Sequence, residues 1–249
     1  MKYMGSKSRI ANKIVPIIQS FIDEYNPQFY LEPFCGGCNV IDKIRFTRKI
    51  ASDKNYYLIA LLNNLDKLDE LPQDFISKEE YDKVRNVYRG IDKKTKLEDW
   101  YIGAIGFLAS FNGRFFDGGY AGLAVSNGKT RNYYNECLRN LLAQKPLLQK
   151  NITFHCTDYT TWSFIHNSVI YCDPPYAGTK QFSTSKDFNY ATFWDWCRRM
   201  SDDNIVLISE ENAPSDFKCI WSQNVKRTIK VKDKQNKVEK LFIFKERLL

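Results

Sequence analysis

The chain has 249 residues, 43% of them hydrophobic and 27% charged, which suits one large globular domain or one domain carrying an insertion and excludes a disordered tail, a collagen-like chain and a small disulfide scaffold. No apolar run approaches the roughly 18–20 residues of a membrane-spanning helix, and the start Met1-Lys2-Tyr3-Met4-Gly5-Ser6-Lys7 lacks a signal-peptide core, so a soluble cytoplasmic protein with no membrane contact is expected. With 37 Lys+Arg against 29 Asp+Glu the formal charge is +8, which attracts polyanions, nucleic acid foremost.

After a polar start in which Ser6 or Ser8 offers a cap, Ile10, Ile14, Ile17, Ile18 and Phe21 recur at helical spacing and predict a helix within the first 25 residues, kinked by Pro16. Residues 29–34 form a short apolar run that meets a glycine turn, which predicts a strand; 40–48 predicts a helix. A second buried strand is expected at 49–53, ending in an acid, and a helix at 56–65. From about 66 to 149 the character changes. Charged helical pieces at 78–89 and 98–109 precede a Gly/Asn-rich aromatic segment at 111–120 and a helix at 133–148, with no alternation of strand and helix. This stretch is expected to be an inserted helical domain, leaving 1–65 and 150–249 as the main domain. Strands at 152–156, 168–172 and 204–209, a helix at 193–200 and a basic hairpin within 226–244 complete the chain. Strands separated by helices predict an α/β fold, a mostly parallel sheet with helices on both faces.

The seven cysteines are scattered and odd in number, which predicts free thiols. Cys35-Gly36-Gly37-Cys38 spells a CxxC, but no second pair completes a tetrahedral site, so no metal is expected.

Two strand ends carry the chemistry, because ligands of an open parallel sheet bind beyond the carboxyl ends of its strands. The first is Glu32-Pro33-Phe34-Cys35-Gly36-Gly37, where glycines let the backbone pass close to a ligand. Asp53 ends the next strand 17 positions after Gly36, which suits a carboxylate accepting the two ribose hydroxyls of a nucleoside cofactor. The bland alternative is a β-turn with an exposed acid. The pattern is neither GxGxxG nor GxxxxGK[ST], which demotes NAD and ATP. The second is Asp173-Pro174-Pro175-Tyr176 after Val169-Ile170-Tyr171-Cys172. Two prolines fix the backbone, so that an acid, carbonyls and an aromatic ring can face one object. An exocyclic amine on a flat ring fits such a set; a rigid loop with a capping Asp is the plainer reading.

Taken in order, Lys2-Tyr3-Met4-Gly5-Ser6-Lys7, Glu32-Pro33-Phe34-Cys35-Gly36-Gly37 and Asp173-Pro174-Pro175-Tyr176, with an insertion before the last, resemble the Dam-type (D12 class) DNA adenine-N6 methyltransferases in the alpha-type motif order. The resemblance spans nearly the whole chain. It implies a Rossmann-like sheet that binds S-adenosylmethionine and releases S-adenosylhomocysteine, with an antiparallel final hairpin, and double-stranded DNA as partner. A cognate restriction enzyme is a candidate second partner. Position by position, Phe34 and Gly36 match the cofactor loop, with Glu32, Cys35 and Gly37 beside them. Asp53 matches the ribose-binding acid, and Asp158-Tyr159 the place where an acid and an aromatic meet the cofactor's adenine. Tyr3 and Lys7 match the N-terminal motif that closes over the methionine part, and Asp173, Pro174, Pro175 and Tyr176 the catalytic motif. One departure is Cys38, where the family often has Gly, with Gly at 37 instead.

Asn112-Gly113-Arg114-Phe115 resembles the family's segment that contacts DNA beside the extruded base, and Asn127, Lys129 and Arg131 lie in the same loop-rich stretch. An arginine can bind guanine O6 and N7 in a bidentate way, although phosphate contact is the commoner role. The hairpin lysines 230, 232, 234 and 237 are phosphate contacts or a solvated face. Three other readings stand beside the main one: an RNA adenine methyltransferase, a protein-amide methyltransferase, and a catalytically silent nucleic-acid-binding relative. The amide enzymes usually carry Asn at the first catalytic position, where this chain has Asp173.

Overall fold

The computed structural model describes residues 1–126, 128–176, 188–225 and 237–248. Among them the main elements are α1 (Ala11–Tyr25), β1 (Phe29–Glu32), β2 (Lys49–Asp53), α2 (Tyr56–Asn63), α3 (Lys78–Tyr88), α4 (Asp99–Leu108), β3 (Leu123–Ser126), β4 (Lys129–Asn132), α5 (Tyr133–Leu148), β5 (Ile152–Cys156), β6 (Ser168–Cys172), α6 (Tyr190–Met200), β7 (Ile205–Glu210), β8 (Phe217–Val225) and β9 (Lys237–Phe244). The main sheet has the order β5-β2-β1-β6-β7-β9-β8. β1 runs parallel to β2 and β6, and β6 parallel to β7, while β9 is antiparallel to both β7 and β8. This is the expected α/β architecture, a mostly parallel sheet closed by an antiparallel hairpin.

The elements follow from local chemistry. β6 and β7 are buried along their whole length, which is why they read as continuous apolar runs. Ile14, Ile18 and Ile22 give α1 one buried stripe. Side-chain caps start α2, α3, α5 and α6: Asn55 accepts from the Leu58 amide, Ser77 from Glu80, Asn132 from Asn135 and Asn189 from Thr192.

Three expectations need correction. Only Ile41–Lys43 is helical within 40–48, as a single 3-10 turn. The Gln19 side chain of α1 takes both backbone groups of Arg45, accepting its N–H at 3.0 Å and donating to its carbonyl at 3.2 Å, which removes them from any helix. The loop-rich stretch before the helix at 133 is not all loop, because β3 and β4 pair there as a small separate hairpin. The first strand of the final hairpin is β8, ending at Val225 rather than starting at 226; residues 226–236 lie outside the described residues.

The chain divides into two compact units. The first comprises Met1–Ala11, Gly36–Lys43 and Asn55–Cys156, the second Asn12–Cys35, Ile44–Lys54 and Thr157–Leu249. An aromatic core fills the first: Phe115 packs on Phe107 and Tyr88 with ring centroids at 4.8 and 4.9 Å. In the second, Leu31, Ile170, Cys172, Val206, Ile208 and Phe242 cover one sheet face under Phe193 and Trp196 of α6. Alternation puts Tyr30, Glu32, Tyr171 and Ser209 on the other face.

Candidate active site

In the second unit the register aligns the strand ends. Glu32 lies opposite Ala51, Leu31 opposite Ile170, and Cys172 opposite Ile208. Glu32, Asp53, Asp173 and Glu210 therefore stand at the carboxyl ends of adjacent strands, where an open parallel sheet binds its ligands. The turn after β1 folds over β2, since the Cys35 N–H donates to the Ser52 carbonyl at 2.9 Å. Thr157 donates its N–H to the Asp53 carbonyl at 3.2 Å, bringing Asp158-Tyr159 to the same strand end. The Phe34 and Tyr159 rings lie 5.4 Å apart. Phe34, Cys35, Asp53, Asp158 and Tyr159 thus form one cluster. Asp158 also caps the 3-10 turn that follows it, one oxygen accepting from the Thr160 N–H at 3.1 Å, while the other lies 3.8 Å from the Lys54 ammonium. Burial, then the Asp158 charge, pushes the Tyr159 phenol up to about 12. Glu32 is buried and accepts from the Tyr30 hydroxyl at 2.6 Å, so its visible role is inside the sheet.

Asp173 leaves β6 directly after the fully buried Cys172. Tyr176 is 6% exposed, and its hydroxyl donates to Glu239 of β9 at 2.6 Å. The Pro175 carbonyl accepts from the Tyr190 hydroxyl at 2.8 Å. Tyr190 packs edge-on against Phe188 at 5.0 Å, and Phe188 in turn lies 5.9 Å from both Phe34 and Tyr159. An aromatic bridge therefore joins the two strand-end motifs. Burial, then the Asp173 carboxylate, holds the Tyr171 and Tyr176 phenols well above their ordinary range. Phe188, Tyr190 and Glu239 were not singled out from the sequence. The first two do carry a signal, being an aromatic pair on either side of the Asn189 helix cap.

In the first unit the N-terminal segment lies between two glycine turns. Gly36 has φ +44°, and a Cβ there would come within 3.0 Å of the Tyr3 ring, which stacks on Phe107 at 5.7 Å. Gly113 has φ +64°, and a Cβ there would collide with the Lys2 carbonyl. Tyr3, Gly36 and the Asn112–Arg114 turn are thereby brought together. The turn at Gly37 is held by the buried amide of Gln144 on α5, which donates to the carbonyls of Gly37 and Cys38 at 3.2 and 3.0 Å and to Asp42 at 2.9 Å. Nothing in the sequence pattern marks Gln144. Lys7 is buried in a 3-10 turn, its ammonium 3.5 Å from the Gly5 carbonyl.

The candidate DNA residues differ from one another. Asn112 has the left-handed conformation, φ +57°. Arg114 is half-buried, and its Nε finds no acceptor among the described residues. Phe115 is 7% exposed inside the aromatic core and presents no ring to solvent. Arg131 is exposed, forms a two-point ion pair with Glu136 at 2.8 and 2.7 Å, and lies over the Tyr133 ring at 4.3 Å. Lys129 opens β4. Asn127 and the lysines at 230, 232 and 234 lie outside the described residues. Among the described residues no group of three or more His, Cys, Asp or Glu could hold a metal ion, and no helix is long and apolar enough to cross a membrane.

The chain is similar to known proteins in the same sense. A model of the D12 class N6 adenine-specific DNA methyltransferases matches residues 3–199. The chain is 27% identical over 216 residues to the Type II methyltransferase M.FokI of Planomicrobium okeanokoites, an alignment covering 80% of this chain and 31% of that protein. It is 28% identical over 229 residues to the Type II methyltransferase M.MjaIII of Methanocaldococcus jannaschii, covering 83% and 76%. This chain thus spans about a third of M.FokI and three quarters of M.MjaIII. A solved rRNA methyltransferase, aviRa of Streptomyces viridochromogenes, aligns at 10% identity and a TM-score of 0.44 over 97% of this chain and 86% of that one. With the family match running from Tyr3 across both strand-end motifs, this chain belongs to the D12 class N6 adenine-specific DNA methyltransferases.

Proposed function

We propose that this protein transfers a methyl group from S-adenosylmethionine to N6 of an adenine turned out of duplex DNA. The observation that carries this reading is the row of strand ends in the second unit. It sets Asp53 with the Phe34–Tyr159 pair at one end and Asp173 with Tyr176 at the other, joined by Phe188 and Tyr190. The cofactor fits these residues. Two rings suit a flat purine, and an acid ending β2 suits a pair of ribose hydroxyls. When bound, S-adenosylmethionine supplies an electrophilic methyl group on a sulfonium.

The chain's own residues do the rest. Adenine N6 is a poor nucleophile because its lone pair is delocalised into the ring. The Asp173 carboxylate and the Pro174 carbonyl each accept one N6–H, which favours the pyramidal amine and stabilises the positive charge growing on nitrogen; N6 then loses one of its two protons to solvent and returns to a neutral amine. The base must leave the stack to reach them, and Tyr176 provides the surface on which it stacks. No protein nucleophile is required, so the seven free cysteines are dispensable as nucleophiles.

The test is transfer of labelled methyl from S-adenosylmethionine to duplex DNA, single-stranded RNA and a glutamine-containing peptide. Label in N6-methyladenine of DNA supports the reading. Label confined to RNA or to peptide overturns it. Sequence-specific methylation shields a site from a nuclease that cuts it, so a cognate restriction enzyme is a proposed partner, to be sought among neighbouring genes.

Two substitutions probe the roles. Hydrogen bonds to a charged acceptor contribute roughly 1.5–3 kcal/mol. Asp53→Ala is therefore expected to weaken cofactor binding about tenfold or more in calorimetry, and unchanged affinity in a folded variant removes the ribose assignment. We also propose that 66–149 is the inserted DNA-contacting segment and that Arg114 meets DNA there. If Arg114 reads a base, Arg114→Ala relaxes discrimination at one position by about 1–3 kcal/mol. If it holds a phosphate, binding falls evenly across sequences with a shallower salt slope. A variant with unchanged affinity and unchanged site preference refutes both.

A further inference from the structure

We propose that Glu239, on the C-terminal hairpin, is a positioning residue that holds the Tyr176 ring in the plane on which the target adenine stacks. The proposal rests on the function given above. It concerns a part of the chain beyond residue 199, where the family match ends.

Strand register brings Glu239 to this place. Cys172 at the end of β6 lies opposite Ile208 of β7, and Ile208 opposite Phe242 of β9. From there β9 runs antiparallel to β7, so Ser209 meets Leu241 and Glu210 meets Lys240. Glu239 is the next residue outward. It lies beyond the end of β7, at the same sheet edge where Asp173–Tyr176 leaves β6. Alternation along β9 puts Glu239 and Leu241 on one face. That face also holds Ser209, whose hydroxyl meets that of Tyr171 at 2.8 Å. Glu239 is 7% exposed, and one of its oxygens accepts from the Tyr176 hydroxyl at 2.6 Å.

The contact has a mechanical consequence. A tyrosine ring turns about two side-chain bonds. Its near end is fixed by the two prolines and by the Tyr190 hydroxyl on the Pro175 carbonyl. Its far end is fixed by the bond from its hydroxyl to a buried carboxylate, at a length typical of strong charge-assisted hydrogen bonds. Burial and the nearby carboxylates keep the phenol protonated, so Tyr176 is the donor and Glu239 the acceptor. A ring pinned at both ends presents a fixed plane, and a stacking partner need not order it on arrival. Glu239 touches neither base nor cofactor in this scheme and acts through Tyr176.

The experiment compares wild type, E239L, E239Q, Y176F and the double variant Y176F/E239L. Single-turnover methyl transfer to duplex DNA is read alongside calorimetric affinity for S-adenosylmethionine. Loss of a hydrogen bond to a charged group predicts that E239L slows transfer about tenfold. Cofactor affinity stays unchanged, and E239Q, which keeps an acceptor, retains most of the rate. Because both changes break one contact, the double variant is no slower than the slower single variant. A second readout needs no activity: in protein carrying 13C-ζ tyrosine, assigned with Y176F, E239Q shifts the Tyr176 resonance alone. Wild-type rate in E239L, multiplied losses in the double variant, or an unmoved Tyr176 resonance in E239Q each overturn the proposal. If E239L does not fold, the E239Q resonance decides. If the wild type methylates no DNA adenine, the proposed function fails, while the resonance still decides whether Glu239 holds Tyr176.

Discussion

Asp173→Ala is expected to cut the single-turnover rate of methyl transfer by roughly 10²–10³-fold or more, the cost of deleting one preorganised group aimed at developing charge. Cofactor affinity should change little, because Asp53, Phe34 and Tyr159 cluster without it. The fold should survive, since β6 is anchored by Val169, Ile170, Tyr171 and Cys172, each buried. The carboxylate also stands near the two buried phenols of Tyr171 and Tyr176, and its charge helps keep both protonated. Both phenols are neutral, so removing the charge leaves the folded state without a new ionised group while it removes an acceptor in the transition state. The check is rapid-quench transfer together with a denaturant melt. Near-normal transfer in a folded variant would sink the mechanism. Asp173→Asn separates the two contributions, because an amide oxygen still accepts one N6–H but carries no charge to oppose the cation forming on nitrogen. It is expected to fall between wild type and Asp173→Ala.

Much of this was legible before any coordinates, and the reasons are local. β1, β2 and β6 are apolar runs each ending at a charged residue or a proline, and the chemistry of parallel sheets lies at such ends. The helices at 78–88 and 133–148 start at polar caps, Ser77 and Asn132. What escaped was decided from far along the chain. The 40–48 helix fails because Gln19, 26 residues before Arg45, takes that residue's backbone. β4 is Lys129-Thr130-Arg131-Asn132, with no apolar alternation to betray a strand. β8 is a mostly exposed edge strand with a register shift between Cys219 and Trp221, so its pattern is blurred. In the site, Gln144 and Glu239 reach their partners across 107 and 63 positions, beyond any spacing rule. Cys38 lies between these cases. The family often has Gly there, and Cys38 does take the left-handed conformation, φ +56°, at a cost of about 1–2 kcal/mol for an L residue. A buried amide on α5 and a fully buried thiol hold the turn in that shape.

The second large effect is expected at Tyr176. In the proposed reaction, base extrusion costs a few kcal/mol of unstacking, part of which a new stacking partner returns. Base–aromatic stacking contributes about 1–3 kcal/mol. Tyr176→Ala is therefore expected to lower the population of extruded adenine by roughly 5–150-fold, read with 2-aminopurine at the target position, whose fluorescence rises when it leaves the stack. Transfer should fall by the same factor, because the groups that accept the N6–H bonds, Asp173 and the Pro174 carbonyl, are untouched. Two observations make this a test of Tyr176 in particular. Phe34, Tyr159, Phe188 and Phe193 are mutually packed at 5.4–5.9 Å, and Phe34 and Tyr159 are the rings proposed to hold the cofactor's purine. Tyr176 bonds to Glu239 through its hydroxyl edge, a contact that uses neither ring face. Tyr176→Phe keeps those faces and loses only the edge contact, so it should lose less than Tyr176→Ala and match E239L. An alanine variant with undiminished 2-aminopurine fluorescence and transfer would show that the extruded adenine rests on some other surface.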